Sequence, residues 1–326
     1  MRRAELISRF LIVAGLLLAT SIPLWLWTRT PLVHVSMAEN GGWNPNTLRA
    51  EVGKPLELHL TSDDVVHGFA VGQMDREAVN VMPGKVTDVT LMFDQPGTYT
   101  FYCTRWCGVN HWRMRGTIEV SGSTANPGPV SVPLYVTLGL DIDAPHEAAR
   151  LPDHQPSAFS GQGLASKLDI SQFSSTGFYR AHSPDQIFAG LSSTRLTASE
   201  KWDVVSYIWQ SQTAPQALAD GRKLYAENCA ACHGENGAGN GVFADEIAQA
   251  GKESQPSMAA TVEMRQKPAD FTNPTRMLGA SPALLQGKIL RGGMGTGMPM
   301  WGSIFTDEQI WDLVAYLYSF QFDYQK

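Results

Sequence analysis

From Leu32 to Ser121 apolar residues recur at every second position, as in Pro55-Leu-Glu-Leu-His-Leu60, Val86-Thr-Asp-Val-Thr-Leu-Met-Phe93 and Gly97-Thr-Tyr-Thr-Phe-Tyr102. A period of two puts alternate side chains on one face of a strand, and Met82-Pro-Gly84 and Gln95-Pro-Gly97 punctuate the runs as turns. Many short strands at this spacing predict an all-β sandwich. Ser121 to Pro133 is dominated by Ser, Gly and Pro and reads as a linker. Beyond it the apolar period lengthens to that of a helix, and a repeat emerges. Thr197-Ala-Ser-Glu-Lys-Trp-Asp-Val-Val-Ser-Tyr-Ile-Trp209 matches Thr306-Asp-Glu-Gln-Ile-Trp-Asp-Leu-Val-Ala-Tyr-Leu-Tyr318, and a Ser-Pro pair, Ser183-Pro184 or Ser281-Pro282, precedes each copy. Each copy opens on a Thr placed to cap a helix.

One further run stands at the N-terminus. Residues 11 to 28 carry no charge and have about the length needed to cross a bilayer, roughly 17 to 25 residues. Arg2, Arg3 and Arg9 precede it, and Trp25 and Trp27 stand where an interfacial aromatic belt would. The positive-inside bias then keeps the N-terminus cytoplasmic and sends the rest of the chain to the outer side. A cleaved signal peptide is the alternative, but its apolar core would be shorter and end in an Ala-x-Ala-like site that is not obvious here. At 326 residues the chain is expected to form several domains, and its formal charge of -6 argues against nucleic acid as a partner.

The candidate chemistry lies in two clusters that use all four cysteines. The first is Cys103-Thr-Arg-Trp-Cys107-Gly-Val-Asn-His111-Trp-Arg-Met114, with His67 upstream in Asp64-Val-Val-His67. Thiolate and thioether sulfur favour copper, and imidazole completes such a shell. A single Cys would hold one copper, whereas a second thiolate in the same loop can bridge a second ion. Two Cys and two His are also a zinc set, against which Met114 and the strand context argue. The segment from about 32 to 121 resembles the CuA domain of heme-copper oxidase subunit II. That resemblance implies a cupredoxin-like fold and a binuclear copper centre: Cys103 and Cys107 as bridges, His67 and His111 as terminal ligands, Met114 as weak axial ligand and the carbonyl of Arg105 opposite it. Oxidases of the mitochondrial type have Glu where Arg105 stands, so the likeness is to the ba3-like oxidases and related nitric oxide reductases.

The second cluster, Cys229-Ala-Ala-Cys232-His233, is a c-type haem attachment motif. It resembles class I cytochromes c, in which a helix like that bearing Gly221 and Tyr225 packs on a C-terminal helix, here Asp307 to Phe320. The resemblance implies one covalently bound haem c with His233 and a Met as axial ligands. Met294, Met298 and Met300 are candidates, Met298 of the Met298-Pro299 pair being the first choice and Met300 the next.

The expected organisation is a transmembrane anchor at 1–30, a cupredoxin-like CuA domain at 31–121, a linker at 122–133, a degenerate haem-free cytochrome c-like module at 134–212, and a cytochrome c domain at 213–326. The degenerate module keeps the packing helix and lacks the Cys motif and the Met loop. Other signals carry less. Gly293-Met-Gly-Thr-Gly297 lacks the Lys-Ser/Thr of a phosphate loop. Asp63 and Asp64 read as turn residues fixing the approach to His67, and His146, His154 and His182 as solvated. His59 faces solvent or a hydrogen bond. Trp43 is either a core aromatic or an electron-entry contact. No residue here is expected to be catalytic, since the chain has no histidine constellation for a haem-copper active site. The expected role is the electron-entry subunit of a cytochrome c oxidase in the inner membrane. Its copper and haem would lie on the periplasmic or outer side, fed by an external donor such as a soluble cytochrome or cupredoxin and feeding a multi-span catalytic subunit. An equivalent nitric oxide reductase subunit and a tethered carrier are the alternatives.

Overall fold

The computed structural model describes residues 8–15, 31–74, 77–108, 110–123, 132–246, 267–293 and 297–324. The chain divides into two compact units, 1–128 and 129–326. Most of the expected membrane span, residues 16–28, lies outside the described residues. Residues 8–15 are helical, with Phe10, Leu11, Ile12 and Val13 exposed. Among the described residues no helix is long and apolar enough to cross a membrane.

Among the described residues of the first unit the period-two runs form nine strands: β1 Leu32–Val35, β2 Trp43–Asn44, β3 Thr47–Glu51, β4 Leu56–Ser62, β5 His67–Val71, β6 Val79–Val81, β7 Thr87–Leu91, β8 Gly97–Tyr102 and β9 Arg115–Ser121. They make two sheets, β2-β1-β4-β7 and β3-β9-β8-β5-β6, with the parallel pairs β1–β4 and β3–β9. Alternate residues, including Leu58, Leu60, Val89, Leu91, Phe101 and Ile118, form the core. Trp43 belongs to that core. It packs edge-on against Phe69 and Phe101, and its indole N–H donates to the carbonyl of Met114 at 3.1 Å, the core reading of the two that its sequence left open.

The helices of the second unit, numbered from residue 132 onward, are α1 Leu134–Thr137, α2 Ala158–Ala165, α3 Thr176–Ala181, α4 Pro184–Gly190, α5 Ala198–Ser211, α6 Pro215–Asn228, α7 Ala230–His233, α8 Pro274–Met277, α9 Pro282–Arg291 and α10 Asp307–Tyr318. Thr197 and Thr306 close reciprocal capping boxes with Glu200 and Gln309, and Ser183 and Ser281 cap α4 and α9.

The repeat is a repeat of packing. A Cβ on Gly221 of α6 would stand 2.1 Å from the carbonyl oxygen of Asp312 and 2.9 Å from the Tyr316 Cβ; on Gly161 of α2 it would stand 1.9 Å from that of Asp203 and 3.0 Å from the Tyr207 Cβ. Only glycine lets either helix pair approach so closely. One turn beyond Gly221, Tyr225 is buried against Tyr316 and Phe320, while Ala165 holds that place after Gly161.

The two equivalent aspartates differ in their surroundings. Asp203 accepts the Ser157 N–H and pairs with Nε2 of His154, a residue the sequence left as solvated, and His154 also contacts Asp153. Burial, then the charges of Glu308 and Asp220, raises Asp312 to about 6. A carboxyl whose folded pKa is raised contributes stability that is present below its ordinary pKa of 3.8 and lost as pH climbs through about 6. Wild-type protein should therefore lose thermal stability between pH 4 and 6. Asp312→Asn should flatten that limb and stabilise the second unit at pH 7 by on the order of 1 kcal/mol, solvent screening included, as read by melts across that range.

Candidate copper and haem sites

The sulfur-rich loop joins β8 to β9, so its ends are fixed by adjacent antiparallel strands paired from Gly97–Val120 to Tyr102–Arg115. Cys103 follows the last residue of β8, and its N–H donates to the Met114 carbonyl at 3.1 Å, closing the loop at its base. His67 begins β5, the neighbour of β8 in the same sheet. At Gly68 a Cβ would stand 2.0 Å from the Thr104 Oγ1 and 3.2 Å from the Arg105 Cγ. The absent side chain lets the loop lie on β5 and brings the Gly68 N–H to 3.5 Å from the Cys103 sulfur.

All six residues singled out in the sequence meet here. The sulfurs of Cys103 and Cys107 are 3.8 Å apart. Nδ1 of His67 lies 3.7 Å from the first sulfur and Nδ1 of His111 lies 3.4 Å from the second. The Met114 sulfur is 3.2 Å from Cys107, and the carbonyl oxygen of Arg105 is 3.4 Å from Cys103, so these weak donors stand at opposite ends of the pair. His67, Cys103 and Cys107 offer ligand atoms within 4.8 Å of one another. Two thiolates, two imidazoles and a thioether match the soft-donor preference of copper. The Arg105 side chain turns away and bonds the Asn80 amide oxygen at 3.0 Å.

The electrostatics follow from two sulfurs in a buried place. The hydrogen bond between them stabilises a thiolate at Cys103, whose pKa falls to about 2 despite burial, and it keeps the proton on Cys107, whose pKa rises. Burial alone would lower His67, but the Cys103 sulfur and the Asp64 carboxylate outweigh it and raise its pKa. Asp64 is held at about 2: burial opposes ionisation, but bonds from His67 and from the N–H groups of Met37 and Val65 prevail.

Sequence reasoning placed Asp64 as a turn residue, and it is also the partner of His67. Its Oδ1 accepts from Nε2 at 2.8 Å, which directs Nδ1 to the sulfurs. The i, i+3 spacing of Asp64 and His67 was the available signal. Asp63 pairs with His34, and His59 with Asp88. Trp106 packs on the His111 ring at 4.6 Å and is 39% exposed, an arrangement that sequence did not suggest.

In the second unit α6 leads into the Cys-x-x-Cys-His motif, where α7 places Cys229, Cys232 and His233 on one turn. Neither cysteine is in a disulfide, and burial pushes their thiols up to about 12 and about 11. Nδ1–H of the buried His233 donates to the Ala269 carbonyl at 3.0 Å, so Nε2 is the nitrogen left for an axial ligand, and the ring stacks on Phe271 at 4.6 Å. The donor set fits a covalently attached haem c. Ala269 is a functional neighbour that sequence reasoning missed. Met298 follows Gly297 in the segment beyond α9 and is half-buried, Met300 is 53% exposed, and Met294 lies outside the described residues. Of the other histidines, His146 contacts the Glu147 carbonyl and His182 stacks on Phe178.

The first unit is thus a cupredoxin-like sandwich with a sulfur-rich loop at its rim, and the second contains a c-type haem module. Residues 45–121 match the family described as Cytochrome C oxidase subunit II, periplasmic domain, and residues 218–321 match Cytochrome c. Cytochrome c oxidase subunit 2 of Thermus thermophilus is 39% identical over 79 residues, which cover 24% of this chain and 58% of that protein. Alternative cytochrome c oxidase subunit 2 of Bradyrhizobium diazoefficiens is 32% identical over 77 residues, covering 24% of this chain and 27% of that protein. The crystal structure of the periplasmic domain of subunit II of cytochrome oxidase from Bradyrhizobium japonicum shares 25% identity, covering 23% of this chain and 54% of that one at a TM-score of 0.22. The chain joins a subunit II-type periplasmic domain, which implies copper, to a cytochrome c domain, which implies haem c.

On the expectation of a copper pair, Cys107→Ser should leave one copper in place of two, or none, with the haem spectrum intact, as read by metal analysis and electron paramagnetic resonance. Met298→Ala should give high-spin or misligated haem with a potential lower by on the order of 0.1 V, because the soft thioether favours ferrous iron. Spectropotentiometry of that variant beside Met300→Ala decides between the two methionines.

Proposed function

We propose that this chain is the electron-entry subunit of a membrane heme-copper terminal oxidase, taking electrons at haem c from a soluble cytochrome or cupredoxin, relaying them to a binuclear copper centre and delivering them to a multi-span catalytic subunit that reduces dioxygen. The carrying observation is the pair of sulfurs 3.8 Å apart with an imidazole facing each of them. Such a pair, when bridging two coppers, spreads one electron over both and lowers the reorganisation each transfer requires.

The chain's own residues set the conditions for that. Asp64 and Gly68 hold His67 and Cys103 from the β5 side, and the β8–β9 pairing closes the loop base, so the donors are preorganised before any metal arrives. Exposed Val65, Val66 and Trp106 border His67 and His111, and an apolar rim of this kind suits contact with a partner subunit. In the second unit the Ala269 carbonyl fixes the His233 tautomer. The exposed apolar side chains of residues 10–13 support a single-pass anchor in the inner membrane, with the N-terminus cytoplasmic and both cofactor domains periplasmic. Residues 134–212 serve as a haem-free spacer.

Purified in detergent, the protein should bring with it a multi-span haem subunit, contain one haem c per chain, and sustain dioxygen consumption. On rapid mixing with a reduced donor, the haem band should change before the copper band. Copper reduced first would overturn the relay, two haems c per chain would overturn the spacer, and nitric oxide consumed with dioxygen untouched would reassign the acceptor.

A further inference from the structure

Residues 134–149 come before the first helical copy, yet Tyr135, Ile142, Asp143 and Ala149 among them pack on the second. Tyr135 of α1 and Ile142 lie within 3.0 Å of where a Cβ on Gly287 of α9 would stand. The Lys288 ammonium donates to the Ile142 carbonyl at 2.8 Å, and the Ala149 N–H reaches the Thr275 carbonyl. The segment is therefore a strap along α9, the helix that leads directly into the Met298 segment.

The strongest tie is at the helix end. Arg291, the last residue of α9, donates from both terminal nitrogens to the two carboxylate oxygens of Asp143. The Asp141 carboxylate accepts the N–H groups of Asp143 and Ala144 and so shapes the turn that presents Asp143. On its other side Arg291 donates through Nε to the Gly292 carbonyl at 3.4 Å. From there the chain returns onto the helix end: Gly293 N–H to the Met298 carbonyl at 3.2 Å, Trp301 N–H to that of Ile289 at 3.2 Å and Gly302 N–H to that of Leu290 at 3.0 Å. The stretch contains Gly292, Gly293, Gly295 and Gly297, a composition with high backbone entropy to lose on ordering. Arg291 is the residue that ties its root to a second, independent segment of chain.

We propose that the Asp143–Arg291 ion pair is a clasp that positions the Met298 segment, so that loosening it raises the fraction of molecules in which the methionine is off the iron. The inference rests on Met298 as the axial ligand. An exposed ion pair by itself is weak. This one is bidentate, and Arg291 is 28% exposed with Asp143 at 62%, which places it above a typical surface pair. A change of roughly five- to tenfold in the open fraction is the corresponding expectation.

The test uses the full-length, haem-loaded protein in the ferric state, titrated with imidazole and followed by absorbance. Imidazole reaches the iron only where the methionine has left, so its apparent affinity scales with the open fraction. Asp143→Asn and Arg291→Gln should each bind imidazole roughly five- to tenfold more tightly, the double variant no more tightly than either single, and Arg291→Lys should recover part of the difference. Asp143→Asn removes only a charge at the more exposed end, so loss of the fold is not a competing explanation, and a melt that stays cooperative, with the haem and its absorbance retained, verifies this. Wild-type imidazole affinity in both single variants, or additive effects in the double, would overturn the clasp. If Met298→Ala leaves the ferric spectrum unchanged, the ligand assignment falls and the clasp with it. If Met298→Ala alters the spectrum while the clasp variants bind imidazole as wild type does, the clasp alone is wrong.

Discussion

Two sulfur atoms held 3.8 Å apart are the constraint around which the first unit is built. Were both ionised with nothing between them, their repulsion at an effective dielectric of 20 would be about 4 kcal/mol. Without a cation the pair shares a proton, Cys103 ionised and Cys107 not. Copper held by the two sulfurs would remove that repulsion, and the fold's task is to keep the sulfurs from separating in either condition. It does so by pinning both loop ends in one strand pair and by laying the loop on a neighbouring strand that has no side chain at Gly68. The sandwich core, with Trp43 reaching the Met114 carbonyl, is what makes that rim rigid.

The second unit uses one helix crossing twice. In each copy a glycine lets one helix rest on the backbone of the other at the residue after a tryptophan, Trp202-Asp203 or Trp311-Asp312. The copies diverge in what the chain inserts between fixed points. From the glycine to the Ser-Pro cap the first copy takes 22 residues (183 − 161) and the second 60 (281 − 221); from that cap to the Thr cap the numbers are 14 (197 − 183) and 25 (306 − 281). The added lengths hold the Cys motif and the Met segment. A helix crossing stabilised by close backbone contact does not depend on the Cys motif or the Met segment, because its energy comes from apolar burial and packing at the crossing itself. The substitution of Ala165 for Tyr225 follows the same logic: Tyr225 packs on Phe271, which stacks on His233, and the first copy has no such histidine to support.

How much of this was legible in the sequence depended on the distance along the chain between partners. The candidate copper donors other than His67 occupy one loop, residues 103–114, and the haem motif is a single turn, so both could be read from local spacing. Strand alternation and the Thr and Ser caps are also local, and the elements formed where they were expected. The hidden features are contacts across long separations: Trp43 to Met114, Asp203 to His154, His233 to Ala269, and Arg291 to Asp143. A charged residue before two glycines gives no indication of which carboxylate it will meet 148 positions away. The strap was hidden for a further reason. Its position before the first copy suggested membership of that copy, whereas its apolar residues Tyr135 and Ile142 find their notch at Gly287 in the second.

Both sites share one design principle, visible only when local and distant contacts are taken together. A short ligand-bearing loop cannot fix its own donors, since the entropy of ordering a flexible segment, about 1–2 kcal/mol per residue, exceeds what its few internal hydrogen bonds return. Rigidity has to come from chain that is already ordered for other reasons. At the copper loop that chain is β5, contributing His67 with Asp64 behind it and the bare backbone of Gly68. At the Met298 segment it is α9 and the strap, meeting at Arg291. The difference in construction follows from the ligands. The sulfur-rich loop offers two cysteines and an imidazole, groups that hold a metal strongly, and its support is the buried Gly68 amide and the half-buried Asp64 carboxylate behind His67. A single thioether is a weak donor, and on the proposed assignment of Met298 its support includes, besides α9, an ion pair facing water, sensitive to charge and to salt.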